Sequence, residues 1–529
     1  MSLFNGNKKS SDNDKEIKNR TTDSLDINIG KVKETLKDCD DIVYKEFVVG
    51  EEQKLRFTLV YIDGMSDTTL LNMTVLESLM ISAREVAPDA SKFADKLYEL
   101  VRYGNLPASE LKGTEDLDEA ILDILIGDAV LFIDGTATLI TIGAKGWPTR
   151  GVNEPNTESV IRGPRDGFVE TFRKNTALVR RRIRDPRLKL KQMKIGVRSK
   201  TDVGIFYIED IVTKELVDEV LRRLESIEID AILDSGYIEQ FIEDDPYSPF
   251  PQISITERPD HVAAELYEGR VVILVDNTPF ALIVPATLNS MFQSPEDYYD
   301  RWFIASVLRF IRIIASFIAM LLPGLYIAFT SYNPGIIPTR LVLSIAASRQ
   351  GVPFPAVVEA FVMEMTLELL REAGIRLPAP IGNTIGIVGG LVIGQAAVQA
   401  GIVSPIMVIV VALTAIASFA NPSYNLSIGF RIMRFGLMII AGLLGLYGLT
   451  LGFILIITHL TRLKSFNVPY LAPFVAMRTT DLKDTVYRAP IYKMVRRPSL
   501  TSRNKIRLRN NRGIINQKAK GGPKNDKKQ

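Results

Sequence analysis

The chain has 529 residues, 47% hydrophobic and 24% charged, with a formal net charge of +3. That length calls for two or more domains. A single cysteine, Cys39, excludes an intrachain disulfide, and with only His261 and His459 beside it, Cys/His zinc centres and His-based triads are nearly excluded.

Residues 1–28 are polar and charged, and are expected to form a disordered extension. The opening MSLFNGNKKSSDNDKEIKNR has no apolar core of the kind a cleavable signal peptide needs. From 29 to 300, β-branched and aromatic runs at 57–62, 130–133, 138–142, 203–208, 271–275 and 281–284 predict strands. Stretches of helical period at 31–36, 68–82, 214–227 and 261–268 lie between them. This alternation predicts α/β layers. The Gly/Pro/Asn-rich segment 146–155 is the expected seam between two α/β subdomains, 29–145 and 146–300. No internal repeat is evident.

After Arg301 the character changes. Residues 313–339 and 377–430 contain no charged side chain, and 435–461 has only His459 as a group whose free form titrates near neutral pH. A membrane span needs roughly 20 predominantly apolar residues, so 301–470 is expected to be an all-α multi-pass bundle with spans at 313–330, 384–400, 402–420 and 435–459. The last run is Gly-rich and could break, which would give five spans. The similar run 277–295 carries Pro279, Pro285, Asn289 and Gln293, and is expected to be strand and loop. Residues 461–529 hold 18 Lys/Arg against 3 Asp/Glu. The segment 471–529 therefore reads as a basic cytoplasmic tail under the positive-inside rule, with anionic lipid as a further partner.

Gly382, Gly386, Gly390 and Gly394 recur every four residues, the small-residue ladder that lets helix backbones approach closely in lipid. Both packing inside one bundle and contact between subunits would use it. Residues 356–372 (AVVEAFVMEMTLELLRE) form a short acidic helix bounded by Pro353, Pro355, Pro378 and Pro380. Carboxylates at bilayer depth are expensive unless paired or wet. The helix is therefore expected either at the interface or lining a water-filled path, with Glu359, Val362, Met363, Glu364 and Glu368 as candidate pore or gate residues. Arg309 and Arg312, one turn apart, would snorkel to headgroups or pair with the buried glutamates of that helix.

In the soluble half, the arginine-rich stretch 158–184 includes Arg162 and Arg165. Its intermixed acids and lack of interleaved aromatics argue for ion pairs over nucleic acid. FPQISITERPD, 250–260, sets Glu257, Arg258 and Asp260 about Pro259. A salt-bridged turn is favoured there over a catalytic dyad. There is no P-loop, no dinucleotide fingerprint, no G-x-S-x-G and no H-E-x-x-H. No enzyme activity, metal or cofactor is expected.

Several strings together resemble the A-subunit family of bacterial spore germinant receptors, the GerA type: IRGPRDGF at 161–168, FPQISITERPD at 250–260, EGRVVILVDNTPFALIVP at 268–285, SPEDYYDRW at 294–302, VPFPAVVEAFVMEMTLELLREAGIRLP at 352–378 and GIVGGLVIGQAAVQAGIVSP at 386–405. They run in order across roughly 35–490. The resemblance implies a multi-pass protein of the endospore inner membrane, with both termini on the core side. Its implied partners are a transporter-like B subunit and a lipoprotein C subunit. It also implies homo-oligomerisation into an ion path that opens when nutrients trigger germination. A paralogue of the spore dipicolinate-channel system and a secondary transporter are the alternatives. A membrane-anchored enzyme using Asp166, Glu257 or Asp260 is the remaining one.

Overall fold

The computed structural model describes residues 19–49, 55–72, 111–146, 154–155, 158, 160–376, 390, 392–475, 481–504 and 506–507. The N-terminal half is α/β, as its patterning predicts. A first sheet takes β1 (Ile42–Val49), β2 (Leu55–Ile62), β3 (Leu111–Thr114), β4 (Ala129–Ile133) and β5 (Leu139–Ile142) in the order β1-β2-β4-β5-β3, every pair antiparallel. Helices α1 (Leu25–Thr35) and α2 (Leu117–Ile126) cover the face carrying Val60, Ile62, Val130 and Phe132. Alternate residues Phe57, Leu59, Leu131 and Ile133 build a second core on the other face, as the period of two in a strand requires.

The second sheet repeats this arrangement. After α3 (Phe172–Arg182) come β6 (Leu188–Ile195), β7 (Thr201–Ile208), α4 (Lys214–Glu225), α5 (Ser235–Ile242), β8 (Ser254–Thr256), α6 (Pro259–Tyr267), β9 (Val271–Val275) and β10 (Ala281–Val284), with strand order β6-β7-β9-β10-β8. Both sheets thus place their third strand at the far edge, next to the fifth. The sequence carries the same duplication. Residues 112–142 (KGTEDLDEAILDILIGDAVLFIDGTATLITI) match 254–284 (SITERPDHVAAELYEGRVVILVDNTPFALIV) without a gap, which corrects the expectation of no repeat.

The equivalences extend to single hydrogen bonds. Asp134 accepts the Leu25 N–H at 3.2 Å in one copy, and Asp276 accepts the Phe172 N–H at 3.0 Å in the other. The Asn28 side chain brackets the backbone of Thr22, as Asn175 brackets Val169. Gly127 and Gly269, both at positive φ, close the matching helices. The copies are joined by a fully buried bidentate pair, Asp41–Arg180 at 2.7 Å.

The short β3 and β8 and the longer β1 and β6 are the edge strands of the two sheets, and none of the four was foreseen. In the longer pair the alternation of apolar and charged residues (LKLKQMKI in β6) is what an edge strand with one solvated face needs.

The C-terminal half is helical: α7 (Trp302–Ser331), α8 (Thr339–Arg349), α9 (Ala356–Arg376), α10 (Pro405–Phe419) and α11 (Tyr424–Arg462). Among the described residues, α7 and α11 are long and apolar enough to cross a membrane, and α10 is a shorter apolar helix. Helix α11 is broken. Gly445 has φ 61° and ψ −142°, and the chain folds back there. The ring of Phe250 lies 5.9 Å from that of Phe430 and 6.1 Å from that of His459. In a continuous helix those two residues would be ~43 Å apart. Residues 424–444 and 446–462 are therefore the antiparallel arms of a hairpin. The expected run 435–459 straddles its turn.

The remaining helices align with this hairpin. Helix α7 starts beside the α/β unit and ends with Tyr332 against the Gly445 turn. Helix α9 starts at that far end, where Val357 packs on Gly442, and returns, its Arg371 guanidinium 5.2 Å from the Phe419 ring at the end of α10. Its 21 residues extend for about 31 Å. It runs along the bundle and does not lie across one end. Residues 384–389 and 391 of the expected span 384–400, with the glycines Gly382 and Gly386, fall outside the described residues. Gly390 and Gly394 are described, and a side chain at Gly394 would meet Val408 of α10 at 3.5 Å.

Candidate functional site

Helix α9 carries Glu359, Glu364 and Glu368 inward, whereas Glu372 and Arg376 near its end are exposed. Glu364, 1% exposed, pairs with Arg434 at 2.9 Å. Glu368 is bound by Arg371 and Arg431, each at 3.0 Å, and by Arg434 at 3.3 Å. Near the far end Glu359 pairs with Arg349 of α8 at 3.0 Å and accepts the N–H of Ser404, at the start of α10, at 2.9 Å. Ser404 in turn meets the Tyr326 hydroxyl of α7 at 3.2 Å. Glu359, Met363 and Glu364 are thus buried inside a single chain.

The opposite stripe of α9 is apolar and open. Val358 is 39% exposed, Val362 44%, Met365 51% and Leu369 67%. This division follows from spacing, since residues three and four apart share a helix face. Each carboxylate taken from water would cost several kcal/mol without its guanidinium partner. The arginines that supply this pairing, Arg349, Arg431 and Arg434, were not singled out from the sequence. Arg431 and Arg434 sit immediately after the 54-residue uncharged run, one helical turn apart, and that spacing was the available signal.

At the other end of the bundle a second charged cluster joins three parts of the chain. Asp297, 1% exposed, receives Arg309 and Arg312 at 2.8 Å each. Arg309 also binds Asp484, from the segment after the bundle, at 2.7 Å, and the Tyr298 hydroxyl donates to Asp484 at 2.7 Å. Arg488 reaches the carbonyls of Asp300 and Tyr298. Arg309 and Arg312 thus pair with acids outside α9. The hairpin base is held separately. Ser248 meets His459 Nε2 at 2.9 Å, and the Ser465 hydroxyl donates to the Gln252 carbonyl at 2.6 Å.

The remaining sequence-derived residues are placed as follows. Arg258 pairs with Asp260 at 2.8 Å and reaches the carbonyls of Glu158 and Pro164, tying those two residues to the start of α6. The hydrogen bonds of Arg258 and Tyr299 overcome burial and hold the Asp260 carboxyl below its usual range. Asp166 pairs with Arg182 at 2.6 Å, and Arg165 lies 3.9 Å from Glu154 at the surface. Arg162 is exposed and Glu257 is buried.

A cleft of about 420 Å³ opens between α6, residues 293–299 and Arg497 and Arg507. Burial pushes the Glu268 carboxyl there up to about 7, against the opposing charge of Arg507.

The chain matches the family described as Bacillus/Clostridium GerA spore germination protein over residues 30–500. It is 46% identical to spore germination protein B1 of Bacillus subtilis (strain 168), over 90% of this chain and 96% of that protein. It is 40% identical to spore germination protein KA of the same organism, over 95% and 93% of the two chains. Among solved structures it is similar to the N-terminal domain of the A subunit of the Bacillus megaterium spore germinant receptor GerK3. That similarity has 34% identity and a TM-score of 0.40, and covers 51% of this chain and 98% of that one. With the family matched across both the α/β half and the helical half, the chain belongs to the GerA family of spore germination proteins.

Proposed function

We propose that this chain is the non-enzymatic A subunit of a nutrient germinant receptor in the spore inner membrane. It works with a transporter-like B subunit and a lipoprotein C subunit. Several copies assemble so that their α9 helices surround a nutrient-gated ion path. The family match supports the receptor role. One observation carries the mechanism: α9 runs the length of the bundle with its glutamates locked onto arginines and its apolar stripe Val358, Val362, Met365 and Leu369 uncovered.

A helix fixed in this way offers neighbouring copies a rigid, narrow apolar wall, the kind of constriction that gates by excluding water. Among the described residues, α7, α9, the helical residues 392–399, α10 and the two arms of α11 are read as six passes that return the chain to the side of the α/β unit. Both termini then lie on the core side. The α/β unit, bonded to the base of α7 and of the hairpin, acts as the two-state element that biases the gate.

Spores carrying Val362→Trp or Met365→Trp test this. Nutrient-triggered release of monovalent cations is expected to fall at least tenfold, with receptor abundance unchanged. Wild-type release rates across the series would overturn the channel reading and leave a receptor without a pore.

A further inference from the structure

We propose that residues 483–496 form a docking surface for anionic phospholipid headgroups on the leaflet facing the α/β unit. This rests on the reading of the helices as membrane-spanning. Helix α7 has 30 residues, about 45 Å, against a hydrocarbon core of ~30 Å. Its uncharged stretch begins at Ile313, so the turns from Trp302 to Arg312 stand at headgroup depth.

The segment after the bundle is bonded to those turns. Arg309 holds Asp484 at 2.7 Å, the Arg488 N–H donates to the Ser306 hydroxyl at 3.1 Å, and the Thr485 carbonyl accepts from Arg309 at 3.2 Å. These contacts fix the following residues at the level where the bilayer surface must lie.

The segment faces outward with the chemistry that level selects. Tyr487 is 46% exposed and Ile491 60%, and Trp302 of α7 is 44% exposed. Lys483, Lys493 and Arg496 are exposed among them. Apolar and aromatic side chains interleaved with cations fit an anionic interface, although Lys483, Lys493 and Arg496 share their cleft with Glu268, Asp481 and Asp484. The acids of this segment, Asp481 and Asp484, are turned inward onto Ser499 and Arg309.

The test uses the full chain in nanodiscs of phosphatidylcholine alone or with 30% phosphatidylglycerol, followed by amide hydrogen exchange. Peptides covering 486–496 should exchange about tenfold more slowly in the anionic discs. The triple variant K483Q/K493Q/R496Q should abolish the difference, with exchange in β7 and β9 unchanged as the control for folding. Equal exchange in the two lipids would overturn the proposal. So would equal protection in detergent micelles, which would place a protein surface or a second copy on this face. A chain that fails to enter discs at all would instead refute the membrane-spanning reading beneath it.

Discussion

Arg434 has two carboxylates within reach and almost no water. Removing one member of a buried pair leaves the other charged and unpaired, at a cost of about 3–5 kcal/mol, whereas removing both with apolar groups of similar size is often neutral. Arg434→Met should therefore lower the unfolding midpoint of the detergent-solubilised chain sharply. Adding Glu364→Leu, whose carboxylate pairs with Arg434, should restore most of it, while Glu368 keeps Arg371 and Arg431. A double variant no more stable than the single one would show that the cluster does not act through pairing. The acids of α9 were legible in the sequence because a carboxylate among apolar residues is conspicuous. Their partners were not, because the expected span was drawn from Phe435 so as to leave Arg431 and Arg434 outside it. In the fold those arginines sit inside, where α9 supplies the missing charge.

At the scale of elements, the uncharged runs foretold where the apolar helices lie, since few ionisable groups are tolerated in hydrocarbon. They could not show that α11 is two arms. Gly445 is one glycine among several in that run, and only its backbone angles set it apart. At φ 61°, ψ −142° a non-glycine residue is strained by about 1–3 kcal/mol. An added Cβ would also lie 2.7 Å from that of Tyr332. Gly445→Ala should destabilise the chain by at least that strain, while Gly436→Ala, with open space around it, should not; equal thermal shifts for the two would contradict the hairpin.

The post-bundle segment contacts the end of α6 through the Arg507–Glu268 ion pair, and burial there predicts a pH dependence. Glu268 is raised to about 7 by burial, with Arg507 opposing. A carboxyl raised on docking favours the docked state fully below its free value, near 4.3, and that contribution is lost as pH rises through about 7. Proteolysis at residues 497–507 should therefore be slower at pH 5.5 than at pH 8, and Glu268→Gln should flatten the difference. Faster cleavage at the lower pH would contradict this.

The whole molecule is a duplicated α/β unit bonded to the base of a helical bundle. The duplication escaped notice because only a handful of positions are identical between its copies, such as Asp134 with Asp276 and Gly127 with Gly269. What the copies share is a pattern of turns and edge bonds, and aligning their strands brings it out. The copies diverge where the second meets other parts of the chain. His261 and Glu268 stand where the first copy has Glu119 and Ile126, and they line the cleft shared with Arg497 and Arg507.

In the proposed assembly the uncovered stripe of α9 faces its counterparts in neighbouring copies. Cys39 is the only cysteine, so a Cys39→Ser background allows single cysteines to be placed at will. Oxidative cross-linking in native membranes should join Val362→Cys chains into disulfide dimers and leave Met363→Cys chains, buried inside the bundle, as monomers. Cross-linking of Met363→Cys with none at Val362→Cys would contradict the account.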